Sequence, residues 1–269
     1  MTKITDIKTI RSRPGGTWVT VKVMTDQPGL YGIGSAHAYN ATGAVVAAIE
    51  EWYKPRLIGR DADRIEDIWQ SSYTSGYWRT GPILNTALGG IDIALWDIKG
   101  KEAGMPVYEL LGGPVRSAVP AYAHASGADL AALEEDVRRY IEEGFQYIRC
   151  QLGPYGGGGF IDSDRANRPK NAWPQEKVFD DDAYIENVTN MFDYLRGKLG
   201  FGIKLTHDVH EHLRPNMAVA LAKLLEPYRL FFLEDVLPPE QIAYFRQIRQ
   251  QCTTPQAMGE LFVNPNEWM

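Results

Sequence analysis

The chain has 269 residues, of which 28 are basic and 34 are acidic, so its formal net charge at pH 7 is −6. Hydrophobic residues make up 44% of it, which is typical of a globular protein and excludes a disordered or collagen-like chain. The acidic balance argues against a nucleic-acid-binding protein, which needs a basic surface to neutralise phosphates.

The sequence also carries signals about location. The two cysteines lie far apart and outside any CxxC pair, which suits a reducing compartment. The N-terminal segment lacks the apolar core of a signal peptide, and no stretch approaches the roughly 20 apolar residues of a membrane span. We therefore expect a cytoplasmic protein with no membrane partner.

The first 35 residues alternate polar and apolar side chains and contain Gly-Gly and Pro-Gly pairs, which predicts a β-meander. From Ala41 onward, apolar residues recur at helical spacing instead. The predicted helices span residues 41–59, 63–73 and 82–104. Thr42 is the expected N-cap of the first helix. Residues 1–115 should therefore form a small α+β domain.

From Ala118 onward, short apolar strands alternate with helical segments. The five strand signals are VPAYAHAS, YIRCQL, GIKLTHDVH, LFFLEDV and QAMGELF. Such repeats give a parallel sheet that is either doubly wound or closed into a barrel. A (β/α)8 barrel has eight strands in about 250 residues. If residues 116–269 belong to one, only about five βα units are present, and we expect the chain to be a fragment or a truncated form.

Three acids occupy matching places in this series, because Asp208, Glu234 and Glu260 follow one another at intervals of 26 residues. Each lies near the C-terminal end of a predicted strand, and in parallel α/β folds those ends share one face. A single acid there could simply cap a helix. Three converging carboxylates would repel one another unless a cation lay between them, and all-oxygen ligands suit Mg²⁺. The spacing therefore favours a Mg²⁺ site.

Basic and imidazole groups accompany these acids. Asp208 and His210 share a parity on the predicted strand, so His210 should face the same side and could act as a general acid or base. His207 has the opposite parity, and we expect it to pack behind the site. On earlier strands, His124 and Arg149 are further inward-facing candidates. A buried arginine needs an anion, so Arg149 is either an ion-pair partner or a substrate-binding group, and the spacing favours neither.

A long glycine-rich loop follows the second predicted strand, from Gly153 to about Val178. Long loops at the working face of an α/β fold are often lids or specificity loops. A phosphate cradle is disfavoured, because no helix starts directly after the glycines and no Lys-Ser/Thr pair follows them. Within this loop, Tyr155 is the residue of interest.

Several segments occur in an order found in a known superfamily. These are IDIALWDIKGKEAGMPVYELLGG, THDVHE, FFLEDV and MGELF. In this order the chain resembles the enolase superfamily, in its mandelate racemase-like branch. AYAHASG, YIRCQ and THDVHEHLRP are similar to the mannonate dehydratase group of acid-sugar dehydratases. The resemblance implies an α+β N-terminal capping domain followed by a (β/α)8 TIM-type barrel.

The resemblance also implies roles for individual residues. The implied Mg²⁺ ligands are Asp208, Glu234 and Glu260. His210 would be the acid that assists departure of the substrate 3-hydroxyl. Arg149, paired with a loop tyrosine for which Tyr155 is the nearest candidate, would take the proton beside the carboxylate. Asn40 and His124 fall where that group contacts substrate.

The activity implied by the resemblance is Mg²⁺-dependent dehydration of an acid sugar of the D-mannonate or D-gluconate type. The product would be a 2-keto-3-deoxy sugar acid, formed through an enediolate. One alternative is a racemase or cycloisomerase of the same superfamily. Another is a catalytically weak or inactive homologue that binds a metal or a sugar acid. The expected partners are the small-molecule acid sugar and further copies of the chain in a homo-oligomer.

Overall fold

The computed structural model describes residues 1–12, 18–38, 41–153, 160–161 and 178–268. Two candidate residues, Asn40 and Tyr155, lie outside this part of the chain. The chain divides into two compact units, of which unit 1 comprises residues 1–117 and 263–267, and unit 2 comprises residues 118–262 and Trp268. Within the described ranges, no helix is long and apolar enough to cross a membrane.

Unit 1 begins with the predicted β-meander. Its antiparallel strands are β1 (Ile4–Ser12), β2 (Trp18–Thr25) and β3 (Tyr31–Ser35), paired in chain order. Alternate residues of β2, namely Val19, Val21 and Val23, are almost fully buried in the core of this unit. The alternation predicted from the sequence therefore separates a core-facing side of the sheet from an outer side.

The helical part of unit 1 follows the sheet. It contains α1 (Thr42–Ala47), a π-helical segment (Ala48–Tyr53), α2 (Lys54–Leu57), α3 (Ile65–Ser75), α4 (Pro82–Ala103) and α5 (Val107–Leu110). The long helix α4 packs so closely on β3 that a Cβ on Gly34 would lie 1.9 Å from the carbonyl oxygen of Gly90. The helix ends at Gly104, whose φ of 65° is left-handed and favours glycine.

The prediction that Thr42 caps the first helix is wrong. The N-cap is Ala41, which offers no side-chain acceptor, and Thr42 is already the first helical residue. Its hydroxyl instead donates to the carbonyl oxygen of Ala38 at 3.4 Å. The helix therefore starts one residue earlier than the capping preference of threonine indicated.

Unit 2 is built from alternating strands and helices. In chain order these are β4 (Tyr122–Gly127), α6 (Leu130–Glu142), β5 (Tyr147–Leu152), β6 (Phe160–Ile161), β7 (Val178–Phe179), α7 (Asp181–Leu199), β8 (Lys204–Asp208), α8 (Pro215–Leu224), β9 (Phe232–Glu234), α9 (Phe245–Gln251) and β10 (Gln256–Ala257). β6 and β7 form a small antiparallel pair. The other five strands form one parallel sheet, in agreement with the five strand signals in the sequence.

The order of the parallel sheet separates the two architectures that the sequence left open. The strands lie in the order β4, β5, β8, β9, β10, so each one neighbours the strand that precedes it in the βα series. A doubly wound sheet reverses direction at a switch point. This sheet does not reverse within the described residues, and its progression is that of a barrel wall.

The two faces of this sheet differ in chemistry. One face is apolar and packs against α6–α9; its strand residues include Ala125, Ile148, Cys150, Leu205 and Leu233. The alternate residues of the same strands are largely polar; they include Tyr122, His124, Arg149, Gln151, Thr206, Asp208 and Glu234. Because side chains alternate along a strand, the chemically active groups collect on the face away from the helices.

Candidate active site

Two of the three predicted metal acids are direct neighbours. Asp208 ends β8 and pairs in register with Glu234, which ends β9. Glu234 in turn pairs with Ala257 of β10. Glu260 lies three residues beyond that position, in a turn, and its side chain is 53% exposed whereas that of Asp208 is 5% exposed. The predicted strand QAMGELF is therefore too long, because the backbone leaves the sheet before Gly259 (φ 139°).

Arg149 forms a buried ion pair. Its Nη1 donates to Asp208 Oδ2 at 2.6 Å, and both side chains are 5% exposed. Its Nη2 donates to Gln151 Oε1 at 3.1 Å. Of the two alternatives that the sequence left open for Arg149, the structure shows contact with an acid of the site itself. The guanidinium neutralises Asp208 and is held in a fixed orientation by the second bond.

His210 lies beside the acids for a reason that differs from the predicted one. β8 ends at Asp208, so strand parity does not apply to His210, and that premise was wrong. The backbone instead turns sharply, with left-handed φ angles of 61° at His210 and 63° at Glu211. The His210 N–H donates to Asp208 Oδ1 at 2.9 Å. Its Nε2 lies 3.8 Å from Asp208 Oδ2 and 3.9 Å from Glu260 Oε1.

Non-glycine residues rarely adopt left-handed φ angles, and the surrounding structure then has to hold them there. The turn at His210 is held by two hydrogen bonds to the β9 strand end. The N–H of Val209 donates to Glu234 O at 3.0 Å, and that of Glu211 donates to Asp235 O at 2.7 Å. The imidazole is therefore placed by a strained turn that is anchored on the neighbouring strand.

His124 lies on the same sheet face as Arg149, with which it pairs in register. Its ring stacks on Tyr122, with centroids 5.2 Å apart. Burial lowers the pKa of His124, and the charge of Arg149 lowers it further, which favours the neutral form of the imidazole. The Tyr122 hydroxyl lies 3.4 Å from both carboxylate oxygens of Glu234 and donates to them.

The carboxylates are crowded at this end of the sheet. Burial raises the pKa of Glu234, and the charge of Asp208 raises it further. Burial and the charge of Glu260 raise the pKa of Asp235 to about 7. Burial and neighbouring carboxylates raise that of Glu211 to about 7 as well. Neither Asp235 nor Glu211 has a regular spacing to the other acids, so the sequence pattern did not identify them.

This crowding bears on whether Mg²⁺ fits. Among the described residues, no three His, Cys, Asp or Glu side chains are arranged as a ready-made metal site. The donor set nevertheless consists of carboxylate oxygens, which hard divalent cations prefer. After burial, the charges of neighbouring carboxylates are the next cause that raises the pKa of Glu234 and of Asp235, and a cation would relieve that repulsion. In donor chemistry and charge, the residues fit the ion.

His207 lies on the opposite face, as its parity predicts, and is 1% exposed. Its Nδ1 lies 2.8 Å from the carbonyl oxygen of Cys150, and its Nε2 lies 2.8 Å from the hydroxyl of Tyr184. A carbonyl only accepts, so Nδ1 carries the proton and Nε2 accepts from the tyrosine. Burial lowers the pKa of His207 to about 4, which keeps the ring neutral.

Two family descriptions match the chain. Residues 6–112 match the N-terminal domain of mandelate racemase and muconate lactonizing enzyme. Residues 132–269 match the enolase C-terminal domain-like family.

Individual relatives extend this likeness over the whole chain. A D-galactonate dehydratase family member of Paenibacillus sp. (strain JDR-2) is 61% identical over 268 residues, which cover 100% of this chain and 66% of the relative. The crystal structure of an enolase from Pantoea ananatis with bound D-gluconate and Mg has a TM-score of 0.90 and 51% identity, covering 100% of this chain and 68% of that one. The 3,6-anhydro-D-galactonate cycloisomerase from Zobellia galactanivorans has a TM-score of 0.75 and 26% identity, covering 96% and 66%.

This chain thus spans about two thirds of the length of the curated relatives that it matches. The matches confirm the predicted fold class, a capping α+β domain followed by part of a (β/α)8 barrel. They also confirm the resemblance to acid-sugar dehydratases as a group. The relatives carry the D-galactonate name, so mannonate dehydratase in particular stays a prediction.

Proposed function

Since the chain belongs to the enolase superfamily, in its mandelate racemase-like branch, we propose that the protein is a Mg²⁺-dependent dehydratase of an acid sugar. The observation that carries the proposal is the placement of Asp208 beside Glu234, with Arg149 and His210 against Asp208. The substrate would be an aldonic acid of the D-gluconate or D-mannonate type, and the product a 2-keto-3-deoxy sugar acid. The D-gluconate and Mg in the Pantoea ananatis structure support this chemistry.

In this proposal the carboxylates of Asp208, Glu234 and Glu260 hold the ion. Bound Mg²⁺ would polarise the substrate carboxylate and stabilise the enediolate that forms when the neighbouring proton leaves. Glu260, in the turn beyond β10, is the most exposed of the three. Tyr122 would orient Glu234 through its hydroxyl.

The elimination requires one group that removes a proton and another that donates one. Removal of the proton beside the carboxylate is assigned to the pair of Arg149 and Tyr155. An arginine stays protonated, so it would favour the phenolate of a neighbouring tyrosine, which then takes the proton. This step rests on the family resemblance for Tyr155, which lies outside the described residues, and on the buried position of Arg149.

The leaving hydroxyl needs a proton so that it departs as water. His210 is assigned this step, because its Nε2 lies 3.8 Å from Asp208 and 3.9 Å from Glu260, the acids beside which the substrate would be held. The bond from carbon 3 to oxygen breaks, the proton from His210 completes the water, and the resulting enol becomes the 2-keto group. A positioned general acid contributes about 10² to 10⁴ in rate. His124, on the same face, would contact the substrate, as would Asn40, outside the described residues.

A second candidate is cycloisomerisation, which the similarity to the Zobellia galactanivorans cycloisomerase favours. That reaction would use the same metal and the same proton removal but would close a ring or reopen one without net loss of water. The two reactions differ in a measurable way. Exchange of the α-proton with deuterium from solvent, without release of water, would favour the isomerase.

The experiment uses the natural polypeptide with D-gluconate, D-mannonate and D-galactonate, in Mg²⁺ or in chelator, and measures 2-keto-3-deoxy acid. Glu234→Gln should lower Mg²⁺-dependent turnover at least about 100-fold, comparable to the loss of one electrostatic stabiliser of a transition state. The matched control is Glu142→Gln, an exposed acid on α6, which should retain turnover. Unchanged turnover in Glu234→Gln would show that the metal assignment is wrong.

His210→Asn separates the two proton transfers. It should abolish water loss while the α-proton still exchanges with solvent, because removal of that proton is assigned to other residues. Loss of both reactions together would contradict the separate role of His210.

We further propose a cytoplasmic homo-oligomer, and light scattering on the natural polypeptide tests its assembly.

A further inference from the structure

His207 is a polar residue in an apolar layer. It lies on the helix-facing side of β8, where its neighbours on the sheet, Cys150, Leu205 and Leu233, are fully buried. A leucine at this position would be apolar like these neighbours and would bring no buried polar atoms that need hydrogen-bond partners. Burying an imidazole costs free energy unless its nitrogens find hydrogen-bond partners.

Both nitrogens of His207 have partners, and these come from two different elements. Tyr184 of α7 donates to Nε2, and the carbonyl of Cys150 on β5 accepts from Nδ1, each at 2.8 Å. The ring of Phe192 packs edge-on at 5.8 Å between centroids. The imidazole is therefore fixed in position and in tautomer.

The bond to Cys150 lies where the backbone pairing of two strands ends. Within the described part of the chain, β5 and β8 pair in register from Tyr147 with Lys204 to Arg149 with Thr206. Both strands continue beyond this point, β5 to Leu152 and β8 to Asp208. The His207 side chain thus links the two strands one residue past their last registered pair.

Arg149 and its described partners Gln151 and Asp208 all lie on these two strand ends. The carbonyl that His207 holds belongs to the peptide between Cys150 and Gln151. Gln151 accepts from Arg149 at 3.1 Å, Arg149 donates to Asp208 at 2.6 Å, and Asp208 directly follows His207 in the chain. These contacts form a closed ring of interactions through His207.

We propose that His207, held by Tyr184, is a positioning residue that sets the spacing of β5 and β8 and thereby of Arg149 and Asp208 for the reaction. The proposal rests on the proposed function for its kinetic test. Its physical content is the link between the strands, because splayed strands would separate the guanidinium from the carboxylate. Displacements of about 1 Å at reacting groups can cost about 100-fold in rate.

The test uses four variants of the natural polypeptide. His207→Leu removes both bonds, and Tyr184→Phe removes only the bond to Nε2. His207→Asn keeps an N–H near the position of Nδ1 and can still donate to the Cys150 carbonyl. Thr254→Val is the matched control, because it removes another buried bond from a side chain to a backbone carbonyl in unit 2, from Thr254 Oγ1 to Ala222 O at 2.7 Å.

His207→Leu should lower kcat and weaken Mg²⁺ binding, measured by calorimetry, by about 10- to 100-fold, as is usual when a group that orients a metal ligand is lost. Tyr184→Phe should lower kcat and Mg²⁺ affinity less than His207→Leu does. His207→Asn should recover most of the kcat and Mg²⁺ affinity that His207→Leu loses. Thr254→Val should stay within about twofold of the parent, since sites without shared partners act independently. If His207→Leu behaves like Thr254→Val, or if His207→Asn is no better than His207→Leu, the positioning role is refuted.

A parent protein that turns over no acid sugar would refute the proposed function and leave the positioning to be judged from the ion pair itself. NMR signals of the Arg149 guanidinium report its contact with Asp208. In His207→Leu these signals should lose their protection from solvent exchange, while Thr254→Val should retain it. Retained protection in His207→Leu would overturn the inference regardless of activity.

Discussion

Replacement of Arg149 by methionine tests the electrostatics of the candidate site. The substitution keeps an unbranched side chain but removes the cation that contacts Asp208 at 2.6 Å, where both side chains are 5% exposed. Removal of one partner from a buried pair leaves an uncompensated charge and typically costs about 3–5 kcal/mol in the free energy of unfolding. We expect a loss of that size in chelator.

The matched control is Arg139→Met on α6. Arg139 also pairs with carboxylates, those of Asp136 and Glu143, but its side chain is 49% exposed. Exposed ion pairs contribute about 0–1 kcal/mol. Two arginines with comparable ion-pair distances should thus differ severalfold in the free energy of unfolding that their replacement costs, because only Arg149→Met leaves a buried carboxylate without its cation.

The response to Mg²⁺ carries the functional part of the prediction. If Asp208 is a metal ligand, the bound ion supplies the positive charge that Arg149→Met lacks, so Mg²⁺ should restore more stability to this variant than to the parent. At 100 times its Kd, a ligand stabilises a folded protein by about 2.7 kcal/mol. Urea unfolding in chelator and in saturating Mg²⁺ measures both quantities. Equal losses in the free energy of unfolding for the two arginine variants would refute the reasoning. An equal stabilisation by Mg²⁺ in the parent and in Arg149→Met would also refute it.

Two further predictions concern stability. Burial lowers the pKa of His207 from 6.5 to about 4, so its contribution to the free energy of unfolding is complete above pH 6.5 and falls by about 3 kcal/mol as the pH drops towards 4. His207→Asn should therefore flatten the pH dependence of the free energy of unfolding, measured in urea, between these two pH values. An unchanged pH dependence would contradict a neutral His207. On α4, Gly89→Ala should stabilise by up to about 1 kcal/mol, because nothing lies within 4 Å of the new methyl group. Gly90→Ala should destabilise by about 1–3 kcal/mol, since its Cβ would lie 2.6 Å from that of Ala36; calorimetric Tm values that rank the two variants in the opposite order would show that α4 can move away from the sheet.

The sequence predicted the parts of the site that depend on periodicity. The regular spacing and the strand signals identified Asp208 and Glu234, which the structure places side by side at two strand ends. Periodicity does not predict side-chain positions where the backbone leaves the sheet. Glu260 lies past β10, and His210 lies in a left-handed turn after β8, and alternation along a strand carries no information about either position.

The spacing of residues along the sequence does not predict which side chains contact one another. The strand pattern predicts that Arg149 faces the acids, but its contacts with Asp208 and Gln151 depend on side-chain rotamers, which the spacing does not give. Asp235 and Glu211 owe their raised pKa values to burial, which is a property of the assembled unit. The hydrogen bond between His207 and Cys150 joins residues 57 positions apart, and no sequence motif indicates it.

The strand order of unit 2 has a consequence for how the polypeptide acquires its structure. Each parallel strand pairs with the one synthesised before it in the βα series, so pairing does not have to wait for a distant strand. Contacts between near neighbours in sequence shorten the loops that must close and favour rapid folding. Each new βα unit can therefore add to an existing edge while the ribosome is still extending the chain. In this order of events, β8 can pair with the strand that carries Arg149 before β9 brings Glu234 beside Asp208.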